Sequence, residues 1–300
     1  MSILPNQEKL IIFHAGSLNK PFTEIEKKFS ILFPHIQIIR ESGGSNTLIQ
    51  SIIKGKSADI MVSADFEIIN KNLIPNFATY NICFAQNKIV LCYTEKSHYQ
   101  QKINKHNWYE ILLKPDVTWA HTNPDYDPCG YRSLMVMQLA EQFYSQPHLY
   151  SQLIQNPNRY IYPTSKELLN VLSNNTVDYI WEYQSVAEQN NFHYINFDDQ
   201  INLSNFHYNS SYKNATVTIT NSPDETSIQT GKAIIYGITA IKNSPHYQSA
   251  ITFLEFLLSP QYGMKILQEQ GQPILFSPFV TTKEEFQTLP LSLKSLITFI

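Results

Sequence analysis

Short apolar segments alternate with amphipathic segments from the start of this chain. Residues 10–13, 36–40 and 59–63 have the apolar character of strands, while residues 22–32 and 48–54 carry apolar side chains at helical spacing. Small-residue turns separate these segments. The pattern predicts a βαβαβ arrangement and therefore an α/β fold.

The alternation continues over the rest of the chain. Further strands are predicted at 88–93, 118–121, 160–162, 178–182, 216–220 and 233–241. Further helices are predicted at 66–73, 131–144, 165–173, 185–189, 248–258 and 261–270. The last two helices are expected to close the chain.

Composition narrows the range of functions. The chain has 300 residues, which allows one large domain or two smaller ones. Its 22 Lys and Arg residues against 25 Asp and Glu give a net charge of −3, which argues against nucleic acid as a partner. Only Arg40, Arg132 and Arg159 are arginines, so a site that surrounds an anion with several guanidinium groups is largely excluded. Any anion site is expected to use other donors.

Neither the cysteines nor the first residues indicate in which cellular compartment the protein works. Three cysteines without a CxxC spacing predict neither a disulfide framework nor a zinc finger. No apolar segment approaches the roughly 18 residues of a membrane-spanning helix. The polar start lacks a secretory-signal pattern, so a cytosolic protein and an exported protein whose signal was removed both stay open.

Four turns share one arrangement, in which a strand ends and a small or hydroxyl residue opens a helix. They are Gly16-Ser17, Gly44-Ser45, Cys129-Gly130 and Thr164-Ser165. The first N–H groups of a helix are unpaired and carry a partial positive charge, so several such helix starts together would form an anion site without arginine. The alternative is that these residues are ordinary helix caps and turn formers.

Two carboxylates stand out beside these turns. Asp127 precedes Pro128, which suits a turn and a helix cap, and Glu182 ends an apolar strand, where an unpaired carboxylate is costly. Carboxylates next to an anion site oppose the anion unless something positive lies between them. A metal centre between the carboxylates and the anion's oxygens would remove this conflict.

Six motifs follow one another along the chain: His14-Ala-Gly-Ser-Leu18, Ser63-Ala-Asp65, Asn107-Trp-Tyr-Glu110, Asp127-Pro-Cys-Gly-Tyr-Arg-Ser133, Glu182-Tyr-Gln-Ser-Val-Ala187 and Tyr236-Gly-Ile-Thr239. In this order, and over a match from about residue 10 to about residue 275, they resemble the tungstate- and molybdate-binding proteins of ABC transporters. The resemblance implies a type II periplasmic-binding-protein fold with a mixed β-sheet flanked by helices in each of two lobes. It places lobe 1 at residues 1–85 plus 239–300 and lobe 2 at 86–238, with a hinge between them and the ligand in the cleft.

The resemblance also implies a ligand set. Asp127 and Glu182 would each give one oxygen to the tungsten or molybdenum of an oxyanion that keeps its four oxo groups. The expected hydrogen-bond donors are the side chains of Ser17 and Ser45, the backbone N–H groups of Cys129 and Ser165, and the hydroxyl of Tyr183. The motifs around Ser45 and Ser165 match the family loosely.

The implied activity is capture rather than catalysis. The protein would bind tungstate or molybdate outside the cytoplasm, in the periplasm or at the outer face of the membrane, and deliver it to a membrane permease. The resemblance implies no cofactor, no nucleic-acid partner and a monomer.

The sequence leaves three alternative functions open. A ferric-iron-binding protein of the same fold would suit two carboxylates, although the chain has no Tyr-Tyr pair. A sulfate-type binding protein is the second rival, but carboxylates would repel an anion whose centre accepts no further ligands. The third is an enzyme with Cys129 as nucleophile and Glu182 as general acid or base, for which none of the nine histidines lies in a hydrolase or metalloprotease motif.

Overall fold

A computed structural model describes residues 7–222 and 225–299. The chain divides into two compact units, with boundaries after Gln86 and after Ile234. The second unit is Asn87–Ile234, and the first unit contains the segments on both sides of it. The predicted ligand cleft between two lobes stays a prediction.

Strands and helices are numbered in chain order. The strands are β1 Glu8–Ala15, β2 Ile36–Gly43, β3 Ile60–Ser63, β4 Ile82–Asn87, β5 Ile89–Tyr93, β6 Trp119–Thr122, β7 Arg159–Tyr162, β8 Tyr179–Tyr183, β9 His193–Ile195, β10 Thr216–Ser222, β11 Glu225–Thr230, β12 Ile234–Ala240, β13 Ile274–Val280 and β14 Thr298–Phe299. The helices are α1 Asn19–Leu32, α2 Ser45–Ile53, α3 Phe66–Leu73, α4 Trp108–Leu112, α5 Pro128–Phe143, α6 Leu149–Ile154, α7 Ser165–Ser173, α8 Gln184–Gln189, α9 Asn209–Tyr212, α10 Tyr247–Leu258, α11 Gly263–Glu269, α12 Lys283–Thr288 and α13 Leu291–Lys294. Within the described ranges, none of these helices is both long enough and apolar enough to cross a bilayer.

The first unit contains a seven-stranded sheet in the order β14-β13-β4-β12-β3-β1-β2. Strand β1 is parallel to both β2 and β3, and β12 is antiparallel to β3. Helix α1 therefore connects the parallel neighbours β1 and β2, and α2 connects β2 to β3 on the other side of β1, as expected for the predicted βαβαβ alternation. Apolar side chains from β1, β3 and α2, among them Phe13, Met61 and Ile49, form one buried cluster on the sheet.

The second unit contains a five-stranded sheet in the order β7-β6-β8-β5-β9 and a separate hairpin, β10-β11. Strand β6 is parallel to β7 and β8, while β5 is antiparallel to β8 and β9. Apolar side chains from three strands and α7, among them Val90, Ala120, Ile180 and Leu168, form its buried cluster. Both sheets are mixed and flanked by helices, which confirms the predicted fold class.

The prediction for the end of the chain is wrong. After α11, the last predicted helix, the chain adds β13, α12, α13 and β14. Pro278 interrupts the apolar pattern of β13 and lacks an N–H for pairing, and the register with β4 shifts between Ile274 and Phe279. Strand β14 has only two residues, too few for a recognisable periodicity.

Strand β4 was also not predicted as a separate element. Only Lys88 separates β4 from β5, and β4 has just four apolar residues before the polar Gln86-Asn87-Lys88. The boundary between the two units lies here, after Gln86. Local periodicity does not show that two strands so close in sequence belong to two different sheets.

Candidate functional site

The loop from β6 to α5 is shaped by a helix cap. Asp127 is the N-cap of α5, and its Oδ1 accepts a hydrogen bond from the N–H of Cys129 at 2.9 Å. Pro128 follows in the first turn, where its missing N–H is not needed. A Cβ on Gly130 would lie 2.4 Å from the carbonyl oxygen of Thr122, so only glycine lets the helix start this close to the end of β6.

Glu182, on β8, is fully buried. Its Oε2 accepts a hydrogen bond from Ser165 Oγ at 3.0 Å. Its Oε1 accepts from the N–H of Tyr183 at 2.9 Å and from the thiol of Cys129 at 3.5 Å. Residues from α5, α7 and β8 therefore meet at one carboxylate.

The two carboxyl groups raise each other's energy in the ionised state. Burial is the main cause that raises the pKa of Glu182 to about 7, and the negative charge of Asp127 adds to it. Burial also raises the pKa of Asp127, against the opposing effects of the Cys129 N–H and the Arg132 charge. Both groups contact Cys129, Asp127 at its N–H and Glu182 at its thiol.

Arg132 and Tyr183 extend this cluster. Arg132 Nη1 donates to the Tyr183 hydroxyl at 2.9 Å, and both side chains are buried. A charge-assisted donor fixes the position of the Tyr183 hydroxyl. Sequence reasoning did not assign Arg132 a role, although it is part of the Asp127–Ser133 motif.

Ser165 does not cap α7. Thr164 is the N-cap and accepts a hydrogen bond from the N–H of Glu167 at 3.3 Å. The hydroxyl of Ser165 donates to Glu182 instead. The prediction named the backbone N–H of Ser165, and the structure adds a side-chain contact to the buried carboxylate.

The two predicted serines of the first unit lie at its own strand-to-helix turns. Ser17 is in the 3₁₀ turn Gly16–Leu18 that precedes α1, and its hydroxyl lies 2.9 Å from the hydroxyl of Tyr236. Ser45 is the first residue of α2, and its Oγ accepts from the N–H of Ala64 at 3.1 Å. Both are buried polar residues at helix starts, as the four-turn pattern predicts.

The structure therefore brings five of the seven predicted residues together in the second unit and places the other two in the first. The five are Asp127, Cys129, Ser165, Glu182 and Tyr183. Tyr236 was quoted in a motif but given no role, and its contact with Ser17 could have been suspected from that motif. The joint binding of one ligand by all seven residues stays a prediction.

The chemistry of this cluster differs from that of a bare-metal site and from that of a cysteine nucleophile. Among residues 7–222 and 225–299, no group of three or more His, Cys, Asp or Glu side chains is arranged to hold a bare metal ion. The burial of Cys129 and the charge of Glu182 raise the pKa of the thiol well above its usual value, so the thiolate needed by a nucleophile is disfavoured. Two carboxylates remain as possible ligands.

Residues 10–271 match the family described as bacterial extracellular solute-binding protein. The chain belongs to this family. A relative from Petrotoga mobilis, named "Uncharacterized solute-binding protein", is 40% identical over 90% of this chain and 85% of its own length. The molybdate/tungstate-binding protein WtpA of Pyrococcus abyssi is 35% identical over 96% of this chain and 90% of its own length.

A solved structure gives the same result for the fold. The periplasmic molybdate-binding protein of Azotobacter vinelandii is similar with a TM-score of 0.64 and 15% identity, over 88% of this chain and 98% of its own. At this identity the likeness concerns the fold alone. Members of the matched family bind solutes rather than transform them, which supports the prediction that this solute-binding protein is not an enzyme.

Proposed function

We propose that this solute-binding protein captures tungstate or molybdate and that Asp127 and Glu182 are ligands of the metal centre. The observation that carries the proposal is the pair of buried carboxyl groups around Cys129. Burial, together with the negative charge of Asp127, raises the pKa of Glu182, so ionising both carboxyl groups is costly without a further positive charge between them. A highly charged metal centre that accepts one oxygen from each carboxylate would supply it.

The remaining predicted residues would act as donors to the oxo groups. They are the hydroxyls of Ser17, Ser45 and Tyr183 and the backbone N–H groups of Cys129 and Ser165. The contacts of Ser17 and Ser45 support this role because each hydroxyl is already oriented by a partner in its own unit. Tyr183 is oriented in the same way by Arg132.

The rival ligands fit these residues less well. Sulfate and phosphate have centres that accept no further oxygen ligands, so two buried carboxylates would only repel them. Ferric iron would accept the carboxylates but would leave the helix-start donors without an anion to bind. The named relative from Pyrococcus abyssi also favours molybdate and tungstate.

The transport role follows from the family and from the proposed ligand. We propose that the protein works in the periplasm or at the outer face of the membrane, as a monomer, and transfers the oxyanion to an ABC-transporter permease. The family description, extracellular solute binding, supports the location. No cofactor and no nucleic acid take part in this proposal.

A panel of ligands tests the proposal. Purified protein is titrated by calorimetry with tungstate, molybdate, sulfate, phosphate and ferric citrate, and its melting temperature is measured with each. At 100 times its Kd, a ligand stabilises the protein by about 2.7 kcal/mol, which raises the melting temperature by several degrees. Stabilisation by tungstate and molybdate alone is expected. Stabilisation by sulfate or by ferric citrate alone would contradict the proposed ligand.

A further inference from the structure

A buried histidine precedes the loop that carries Ser17. His14 is the second-last residue of β1 and has no exposed surface. Its Nδ1 lies 3.0 Å from the carbonyl oxygen of Ala15, and its Nε2 lies 3.3 Å from Arg40 Nη1. Because a carbonyl only accepts and a guanidinium only donates, Nδ1 carries the proton and Nε2 is the acceptor. The contacts are therefore those of a neutral imidazole.

Arg40 continues from this histidine to the helix that follows the loop. Its Nη1 also lies 3.2 Å from both the carbonyl and the side-chain oxygen of Asn19, the first residue of α1. Its Nη2 donates to Thr23 Oγ1 at 2.8 Å and its Nε to Glu26 at 2.7 Å. The His14–Arg40 pair thus connects the residue before the loop to the helix after it.

The second unit repeats the pair. His121, also buried and second-last in its strand β6, has Nδ1 2.7 Å from the carbonyl oxygen of Thr122 and Nε2 2.9 Å from Arg159 Nε. Arg159 Nη1 donates to the carbonyl of Ile154 at 2.9 Å. The loop that follows β6 ends at Asp127, a proposed metal ligand.

The two pairs also occupy the same register. In the first unit Arg40, on β2, is aligned with Ile12, two residues before His14. In the second unit Arg159, on β7, is aligned with Trp119, two residues before His121. The arrangement uses two of the three arginines of the chain, in a protein with few charged residues. A coincidence of packing would not be expected to repeat with the same histidine atoms and the same register, although the arginine contributes Nη1 in one pair and Nε in the other.

We propose that His14 with Arg40, and His121 with Arg159, are positioning pairs that hold the two loops from which the oxyanion donors and the first carboxylate project. The neutral histidine directs the carbonyl of the next residue, and the arginine fixes the ring from the neighbouring strand. The proposal deepens the proposed function and rests on it for the ligand, but the ordering of the loops does not depend on the ligand's identity.

Three variants of the first unit test the positioning role. His14→Phe keeps an aromatic ring at this position but removes both ring nitrogens. Arg40→Met removes the guanidinium donors, and Arg40→Lys keeps one charged donor group. Calorimetry with tungstate should show affinity about ten-fold weaker for His14→Phe, the effect of one lost charge-assisted hydrogen bond. The loss should be at least as large for Arg40→Met, which also removes the donors to Asn19, Thr23 and Glu26, and intermediate for Arg40→Lys. Recovery by lysine would distinguish a donor role from mere filling of space.

The matched control is Asp59→Asn. Asp59 accepts the N–H of Ile11 at 2.6 Å, three residues before His14 on the same strand and away from the loop. This variant should lower the melting temperature while tungstate affinity stays within about two-fold, since one neutral hydrogen bond still replaces the charged one. If His14→Phe behaves in the same way, the pair is only structural and the proposal is wrong.

A ligand-independent measurement separates this proposal from the proposed function. Hydrogen exchange followed by mass spectrometry should show faster exchange at residues 15–18 in His14→Phe and at residues 122–127 in His121→Phe, with no such change in Asp59→Asn. If the wild-type protein binds no oxyanion of the panel but the loops still exchange faster, the proposed function fails and the positioning role stands. Unchanged loop exchange in both histidine variants would overturn the positioning role.

Discussion

The two units repeat one construction and differ at the side chains that face their helix starts. In each, a central strand, β1 or β6, is parallel to a neighbour on either side, and a neutral histidine near its end contacts an arginine on one of them. Of the predicted ligand-binding residues, the first unit holds the hydroxyl groups of Ser17 and Ser45, while the second holds both carboxyl groups, those of Asp127 and Glu182. Similar backbones therefore carry different predicted ligand groups.

The two sheets also share an aspartate at the other end of their strands, just before β3 in the first unit and just before β8 in the second. Asp59 precedes β3 and accepts the N–H of Ile11, with additional contacts from Ser244 and His246. Asp178 precedes β8 and accepts the N–H of Thr118 at 2.8 Å, with an additional contact from His98. Each aspartate pairs a strand start with its parallel neighbour, far from the helix starts.

The difference lies four residues beyond each aspartate. That position is Ser63 in the first unit and Glu182 in the second. The Ser63 hydroxyl donates to the carbonyl of Asp65 at 2.6 Å and so stabilises its own turn. Glu182 instead collects donors from three elements around a buried charge. At corresponding strand ends, the first unit thus has a serine that stabilises a local turn, and the second has a glutamate that is a candidate ligand of a metal centre.

The largest expected effect comes from neutralising the two carboxyl groups. Asp127→Asn combined with Glu182→Gln should weaken tungstate binding by at least about 100-fold, because each amide replaces an anionic metal ligand and a factor of 100 is about 2.7 kcal/mol. Calorimetry measures the affinity, and circular dichroism checks that the variant folds. Glu95→Gln, at an exposed glutamate of the same unit, is the matched control and should bind as the wild type does. Unchanged affinity in the double variant would mean that the carboxylates are not ligands.

In the ligand-free protein, the buried Glu182 of the second unit should make the free energy of unfolding depend on pH. The pKa of Glu182 rises from 4.5 to about 7 on folding, so the folded state binds this proton more tightly than the unfolded chain. The contribution of Glu182 to the free energy of unfolding should therefore fall by about 3 kcal/mol as the pH rises from 4.5 to 7, and then stay level. Urea unfolding of the wild type and of Glu182→Gln at a series of pH values isolates this contribution as the difference between the two proteins. A difference that does not change with pH across this range would contradict the raised pKa of Glu182.

On the acid side the two units should behave alike. Burial lowers the pKa of His14 to about 4 and that of His121 to about 3, from 6.5. Because the folded state binds these protons less tightly, stability should be lost as the pH falls below about 6.5 towards these values. His14→Phe and His121→Phe should each remove part of this acid dependence in the same urea series. If a variant loses as much unfolding free energy at low pH as the wild type does, the replaced histidine is not held neutral.

Gly130 lies so close to the backbone of Thr122 that adding one methyl group there should destabilise the second unit. In Gly130→Ala the new Cβ would meet the Thr122 carbonyl, which requires a backbone shift and should lower the free energy of unfolding by about 1–3 kcal/mol. Gly55→Ala is a useful comparison in the first unit: its φ of +94° is strained for alanine, but the added Cβ meets nothing within 4 Å. Thermal unfolding measures both. If Gly130→Ala alone also weakens tungstate binding, the start of α5 is part of the site.

The smallest effects should come from single serines. Ser165→Ala removes a donor to a buried carboxylate and should destabilise the protein by about 1.5–3 kcal/mol at pH 8, where Glu182 is ionised. Ser45→Ala removes a neutral acceptor from Ala64 and should cost only about 1 kcal/mol. Thermal unfolding at pH 8 and pH 5 compares them. The difference between the variants should shrink at pH 5, and a constant difference would contradict the charged state of Glu182.

Much of the helix and strand pattern could be predicted from periodicity because the apolar spacing is regular in α1, β2, α3 and α7. The cap at Asp127 could be predicted from its position before Pro128, and the need for a partner at Glu182 from the cost of burying a carboxylate. The end of the chain could not, since a proline-containing strand and a two-residue strand leave no periodic signal.

The sequence alone determined the α/β alternation, the glycine and serine turns, and the residues that resemble an oxyanion-binding family. Only the tertiary structure decided which of them meet. The contact between Cys129 and Glu182 joins residues 53 positions apart, and the Arg40–His14 contact joins residues 26 apart. Such contacts depend on the order in which strands enter a sheet, and that order is set by the packing of the whole unit rather than by any local spacing.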